Sequence, residues 1–188
     1  MAQRTLAAML VCVAGLGFAS LAAATGEQTD WREYRSEAGR FSVELPDEPR
    51  QLRWTRATWG GEVESAEFGV ETEDIRLRIE THDMPRIARW VMSPTDLLKR
   101  ASRGLLDDDG GEVVGTRTLQ MQNHPAWEVS YLITASREDD GAATGALGLA
   151  RFVLVADRVY LLSTVHRSGR ASEAAITRFL DSFQFWSN

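Results

Sequence analysis

Three histidines, His82, His124 and His166, are the first residues to test for chemistry in this chain. They lie far apart, without the close spacing of a metal site, which also needs residues that orient its ligands. His82 is predicted to face outward on a strand, and His124 is predicted to lie in a turn. We interpret the histidines as solvated or locally hydrogen-bonded side chains and predict no metal site.

Motifs of covalent catalysis and nucleotide binding are missing from the sequence. It has no G-x-S-x-G elbow, no G-x-x-x-x-G-K-[ST] loop and no G-x-G-x-x-G turn. A serine hydrolase assembled from scattered Ser, His and Asp residues needs no such motif, because a triad is defined by geometry. We place enzyme function third, behind two binding functions, and predict a non-enzymatic protein without a cofactor.

The acidic run from Asp107 to Glu112, with Gly110 and Gly111 inside it, suggests a calcium loop. An EF-hand loop needs oxygen ligands at positions 1, 3 and 5, and glycine at position 6. Counting from Asp107 places Gly111 at position 5, so the register fails. We predict a solvated loop that ends a helix.

The most unusual local composition lies between Arg53 and Trp59, where two tryptophans and two arginines share one strand. Trp54 and Arg56 fall on one face of that strand, and Arg53, Thr55 and Trp59 fall on the other. Because aromatic residues and arginine are enriched at binding hot spots, Trp54, Arg56 and Trp59 are our candidate binding residues. The alternative is that one tryptophan packs under a helix, while the alkyl parts of the arginine side chains cover the other tryptophan.

The first 24 residues have the pattern of a secretory signal. Arg4 precedes an apolar run that ends in Ala22-Ala23-Ala24, which predicts cleavage after Ala24 and a periplasmic or extracellular protein without a stable membrane span. A retained membrane anchor is the alternative, although the run is short for a span. Cleavage removes Cys12, the single cysteine, so no disulfide is expected.

Residues 25–30 are predicted to form a short polar lead segment before the domain. Residues 31–188 have the length of one domain. The full chain carries a net charge of −6, and removing Arg4 makes it −7. An acidic chain disfavours nucleic acid as a partner.

Alternating apolar residues predict a series of antiparallel strands. Residues 31–34 are predicted as an edge strand and residues 39–46 as a half-buried strand. Residues 52–59 and 62–70 form a hairpin around Gly60-Gly61, and Ile75 to His82 complete a meander. Further strands are predicted at 112–119, 126–134, 145–155 and 159–166.

Two helices are predicted on opposite faces of this sheet. Ser93 caps the first, Pro94 begins it, and it covers residues 94–106. The second covers residues 171–183 and presents one apolar stripe, formed by Ile176, Phe179, Leu180 and Phe183. The sequence thus predicts an α+β fold in which helices sandwich an antiparallel β-sheet.

Several segments of the chain resemble the PsbP-like family. Residues 39–46 resemble its opening G-x-F-x-V-x-x-P strand, and residues 123–128 are similar to its G-H-P-G-x-E turn. The pair 158–162 and 178–183 resembles its R-x-Y-x-L and R-F-L-D-S-F ending. This resemblance implies an α/β/α sandwich and binding or assembly work without common catalytic residues.

Two functions follow as hypotheses. The first is an exported, non-catalytic module that binds a protein or an envelope component. The second is a carrier of a small apolar ligand, held between the sheet and one helix, because large apolar side chains face both sides of the sheet.

Overall fold

A computed structural model describes residues 30–58, 61–85, 92–134, 145–167 and 173–186 of the 188-residue chain. The predicted signal segment, Cys12, Trp59 and Gly60 therefore lie outside the described residues. Within the described part, no helix is long and apolar enough to cross a membrane.

The described residues form ten strands and two helices. The strands are β1 Arg32–Ser36, β2 Phe41–Leu45, β3 Arg50–Thr58, β4 Gly61–Glu71, β5 Ile75–Asp83, β6 Gly111–Met121, β7 His124–Ile133, β8 Ala146–Val155, β9 Arg158–Arg167 and β10 Gln184–Phe185. The helices are α1 Pro94–Asp109 and α2 Glu173–Ser182.

Seven of the strands form one antiparallel sheet in the order β3-β4-β5-β9-β8-β7-β6. The predicted meander is present as β3, β4 and β5. Thr58 pairs with Gly61 at the end of the hairpin, so Gly61 belongs to β4 and the prediction that it lies in the connection is wrong. Because side chains alternate along a strand, Ile75, Leu77 and Ile79 are buried on one face of β5, and its charged residues lie on the other.

Helix α1 begins as predicted and ends three residues later than predicted. Ser93 is the N-cap and accepts a hydrogen bond from the backbone N–H of Asp96, while Pro94 occupies the first turn. The helix continues to Asp109 and ends at Gly110, whose left-handed φ of 63° glycine adopts without strain. Leu97, Leu98 and Leu105 lie in a buried cluster shared with β7, β8 and β9.

Helix α2 covers the opposite face of the sheet, where Phe179, Leu180 and Phe183 are buried. It shares this face with a second, three-stranded sheet in the order β1-β2-β10, which the sequence did not predict. The predicted edge strand at 31–34 is β1 of that small sheet, paired with β2. The strand predicted as half-buried is almost wholly buried, because its apolar side chains lie in the core shared with the large sheet and α2 packs against it.

The predicted fold class is confirmed. An antiparallel sheet lies between α1 on one face and α2 with the small sheet on the other, in an α+β arrangement.

Candidate functional site

A cleft of about 320 Å³ lies between α1 and the part of the sheet formed by β3, β4, β5 and β9. It arises because α1 packs on β6, β7 and β8 and leaves the neighbouring strands beside it. We call this cavity the α1 cleft. Its apolar floor consists of Val63, Leu97, Leu105, Phe152, Val159 and Leu161.

The floor residues of the α1 cleft are themselves mostly buried. Each of the six is at most 9% exposed, so together they offer only a small apolar area to the cavity.

A chain of polar side chains crosses one wall of the α1 cleft. Ser65 on β4 lies directly opposite His82 on β5, and their side chains meet at 2.9 Å between Oγ and Nδ1. The other ring nitrogen, Nε2, lies 3.1 Å from Glu80 Oε2. Glu80 and His82 share a face of β5 because they are two residues apart. His82 lies on the face of β5 that the alternation predicted, and its side chain is only 24% exposed there. The locally hydrogen-bonded interpretation of this histidine therefore holds, while a fully solvent-exposed position does not.

Arg78 extends this polar chain to the end of α1. Its Nε lies 3.1 Å from Glu80 Oε1 and donates to Ser163 Oγ at 3.2 Å. Its terminal nitrogen donates to both carboxylate oxygens of Asp109 at 3.4 Å. Asp109 also accepts a hydrogen bond of 2.9 Å from the Tyr131 hydroxyl. The acidic run predicted as a solvated loop is thus wrong at Asp109, whose side chain is only 12% exposed.

Burial and charge contacts in and beside this polar wall shift the pKa values of its ionisable side chains. Burial alone would raise the pKa of Glu80, but the hydrogen bond with His82 and the charge of Arg78 outweigh it and lower that pKa. Glu67 lies opposite Glu80 on the neighbouring strand, and burial raises its pKa. Burial also raises the pKa of the Tyr131 hydroxyl, and the Asp109 carboxylate raises it further. Glu80 is therefore held ionised between Arg78 and His82.

Ser65, His82 and Glu80 are the residue types of a hydrolase triad, so their geometry needs testing for catalysis. Ser65 lies in the middle of β4, which is paired on both sides with β3 and β5. The backbone N–H groups around Ser65 donate hydrogen bonds within these two strand pairings. They are therefore not free to form the oxyanion hole that a hydrolase would need. The hydroxyl belongs to a residue only 7% exposed. The arrangement satisfies buried polar groups, and its geometry does not favour attack on a substrate.

Two of the three candidate binding residues lie together in the α1 cleft. Trp54 and Arg56 both line it, on the face of β3 that their alternation predicted. Trp54 is 36% exposed, and its ring meets that of His82 edge to face at a centroid distance of 6.3 Å. Trp59 lies outside the described residues. The role of these residues in binding stays a prediction.

The carrier hypothesis placed a pocket between the sheet and one helix but did not say which helix. In the structure α1 contributes to the α1 cleft, which Arg100, Ala101 and Gly104 line together with Leu97 and Leu105. The helical spacing of 97, 101 and 105 was the available signal, since residues four apart share one face of a helix. Among the described residues, no group of three His, Cys, Asp or Glu side chains could hold a metal ion.

Similarity to known proteins was found by comparing structures and not by comparing sequences. No protein-family model matches the sequence, and no curated protein matches it. The solution structure of cyanobacterial PsbP from Synechocystis is similar to this chain with a TM-score of 0.57 and 13% identity, over 94% of this chain and 99% of that one. A Pseudomonas aeruginosa protein of unknown function, described as a putative regulator, gives a TM-score of 0.34 and 11% identity, over 74% and 85% of the two chains. The likeness to cyanobacterial PsbP establishes a PsbP-like fold, as the resemblance implied.

Proposed function

We propose that this protein is an exported, non-catalytic binding module that holds a small apolar ligand in the α1 cleft. The observation that carries this proposal is the cleft itself, a cavity of about 320 Å³ with a floor of six apolar side chains. Ligand sites in proteins are concave, mostly apolar and start at about 300 Å³. The signal pattern of residues 1–24 supports the exported location.

The position of Trp54 and Arg56 favours a ligand in a cleft over a partner on a flat surface. Both side chains line the cavity beside α1, where a small molecule would contact them on entering. Each methylene of an apolar ligand that leaves water for the floor contributes about 0.8 kcal/mol. A chain of several methylenes would therefore offset the cost of immobilising it.

Native mass spectrometry tests the proposal directly. Full-length protein expressed with its own export signal and released gently should carry a small molecule that denaturation removes. Gly104→Leu is the blocking variant, because a Cβ at Gly104 meets nothing within 4 Å and the added side chain would project into the cleft. Arg103→Leu is the matched control, since it places leucine at an exposed position of α1 outside the cleft lining. A mass without ligand for the unmodified protein, or equal loading of both variants, contradicts the proposal.

A protein or envelope partner that binds β3 is the second candidate function. This strand is the edge of the seven-stranded sheet, and all nine of its residues are exposed, with Leu52 at 60%. Among the described residues β3 pairs only with β4, and such an edge can accept a partner strand. Crosslinking in envelope extract should then capture a partner through the unmodified protein and lose it in Trp54→Ala/Arg56→Ala. Capture that is unchanged in the double variant would contradict this function.

A further inference from the structure

We infer that the occupant of the α1 cleft is an anionic amphiphile, with an alkyl chain along the apolar floor and a carboxylate or phosphate head group between Arg56 and Arg100. This inference rests on the proposed function and adds the charge and shape of the ligand.

Arg56 and Arg100 approach the cleft from two different elements. Arg56 projects from β3 and Arg100 from α1, and both line the cavity and are exposed. Within the described part of the chain, neither forms an ion pair. Because both guanidinium groups line one cavity, an anion bound there would be attracted by both of them. Guanidinium groups bind carboxylate and phosphate with paired hydrogen bonds, which makes these two acids the matching head groups.

The other charges in the cleft neutralise one another. Arg78 is bound to Glu80 and Asp109, and its side chain is 18% exposed. Glu80 is engaged by both Arg78 and His82, so its carboxylate is already satisfied. The cleft therefore keeps positive charge at Arg56 and Arg100, although the protein as a whole is acidic, with a net charge of −6.

The apolar floor begins next to one of these cations. Arg56 is paired across the strands with Val63, which is part of the floor. A head group bound at Arg56 would therefore place the atoms attached to it on an apolar surface. The cleft volume of about 320 Å³ has room for an unbranched chain of medium length, such as that of decanoate. An uncharged ligand would form no charge-assisted hydrogen bond with either arginine, so it would gain only from the apolar floor.

Binding of matched probes tests the inference. Decanoate, decyl phosphate, decanol and inorganic phosphate are titrated into the full chain by calorimetry, with the alkyl probes below their micelle-forming concentrations. We expect decanoate and decyl phosphate to bind, decanol to bind about tenfold more weakly or worse, and inorganic phosphate not to bind detectably. Affinity for the two anions should fall as salt rises, because salt screens exposed charges.

Variants separate the head group from the chain. Arg56→Gln/Arg100→Gln should weaken decanoate binding about tenfold or more and leave decanol binding unchanged. Arg103→Gln, an exposed arginine on the same helix but outside the cleft lining, should leave both unchanged. Gly104→Leu should weaken every alkyl probe. Because all three arginines are exposed, these variants are expected to fold, and a melting curve checks it.

Each contrary result is informative. Equal affinity for decanol and decanoate would overturn the anionic head group and leave the proposed apolar carrier standing. Phosphate binding as tight as decyl phosphate binding would overturn the alkyl chain and make a free anion the ligand. If none of the alkyl probes binds, the inference is wrong, and native mass spectrometry decides separately whether the cleft is loaded with another molecule.

Discussion

Replacing Glu128 by glutamine should be one of the most costly conservative changes in this protein. Glu128 on β7 lies directly between Arg117 on β6 and Arg151 on β8 in the strand register. It accepts hydrogen bonds of 2.5 Å from Arg117 Nε and 2.6 Å from Arg151 Nε. Its side chain is 6% exposed, against 64% for Arg117 and 16% for Arg151. The important partner is therefore Arg151.

The size of the effect follows from these exposures. Breaking a buried ion pair by removing one partner costs about 3–5 kcal/mol, because the other charge is left without compensation. Asp181 stays 3.3 Å from Arg151 and compensates part of that charge. The exposed bond to Arg117 adds less than about 1 kcal/mol. We expect Glu128→Gln to lower the free energy of unfolding by about 2–4 kcal/mol at neutral pH.

The effect of Glu128→Gln should also depend on pH. Burial alone would raise the pKa of Glu128, but hydrogen bonds from Arg117 and Arg151 outweigh it and hold the pKa below its ordinary value. A lowered pKa stabilises the folded state at pH values above the unfolded pKa of about 4.3, and this stabilisation is lost as the pH falls through the folded value. The variant lacks this ionisation, so its deficit should shrink as the pH falls below about 4.3.

Urea denaturation of both proteins from neutral pH downward measures this difference. Arg117→Gln is the matched control, and we expect it to cost less than about 1 kcal/mol at neutral pH. A Glu128→Gln deficit no larger than that of the control, or one that does not change with pH, would refute the reasoning.

Three further predictions concern stability and are measured by urea or thermal denaturation. Phe179→Asp should unfold the domain or cost several kcal/mol, because it places an unpaired charge at a fully buried position; near-wild-type stability would mean that α2 is not packed on the sheet. Gly148→Ala should cost about 1–3 kcal/mol, because the new Cβ would lie 2.2 Å from Cζ of the buried Tyr131 ring. Gly115→Ala, where nothing lies within 4 Å, should be close to neutral, and equal costs for the two glycines would contradict the explanation. Ser93→Ala should cost about 1 kcal/mol through loss of the α1 cap, and an unchanged stability would argue that this cap contributes little.

The elements that sequence reasoning placed correctly are those whose signals are local. The alternation along β5, from Ile75 onward, reflects one buried face and needs no knowledge of its neighbours. Ser93 and Pro94 mark the start of α1 through their own backbone preferences. The order of consecutive antiparallel strands follows from short connections. These features sufficed for the fold class.

The features that it missed depend on pairing between distant residues. Strand β10 has two residues, and it exists because Phe185 pairs with Phe41, far away in the chain. His82 was expected to face solvent, because its own strand does not show that Ser65 lies opposite it. Asp109, the last residue of α1, was assigned to a loop, since its partner Tyr131 lies on β7, 22 residues away in the chain. The candidate site is made of such contacts. Sequence reasoning therefore named Trp54 and Arg56, and separately a pocket between the sheet and one helix, without placing these residues in that pocket.

The cleft follows from how the two faces of a wide sheet are covered. Seven strands at a spacing of roughly 4.8 Å make a sheet about 30 Å across, whereas one helix with its side chains is about 10 Å wide. On one face, α2 is joined by β1, β2 and β10, and together they bury the aromatic core. On the other, α1 packs on β6, β7 and β8.

In the described structure, β3, β4 and β5 therefore lie beside α1 and not beneath it. Polar and apolar side chains both occur on this part of the sheet, and each kind is stabilised in a different way. Where the strands carry polar residues, those residues satisfy one another, as Ser65, His82 and Glu80 do. Where the lining is apolar, its side chains gain by leaving water, and packing between α1 and the sheet already buries most of their area. A ligand with an apolar chain would cover the part of this floor that stays open, and its acidic end would meet Arg56 and Arg100, two cations of the cleft that form no ion pair with the described residues.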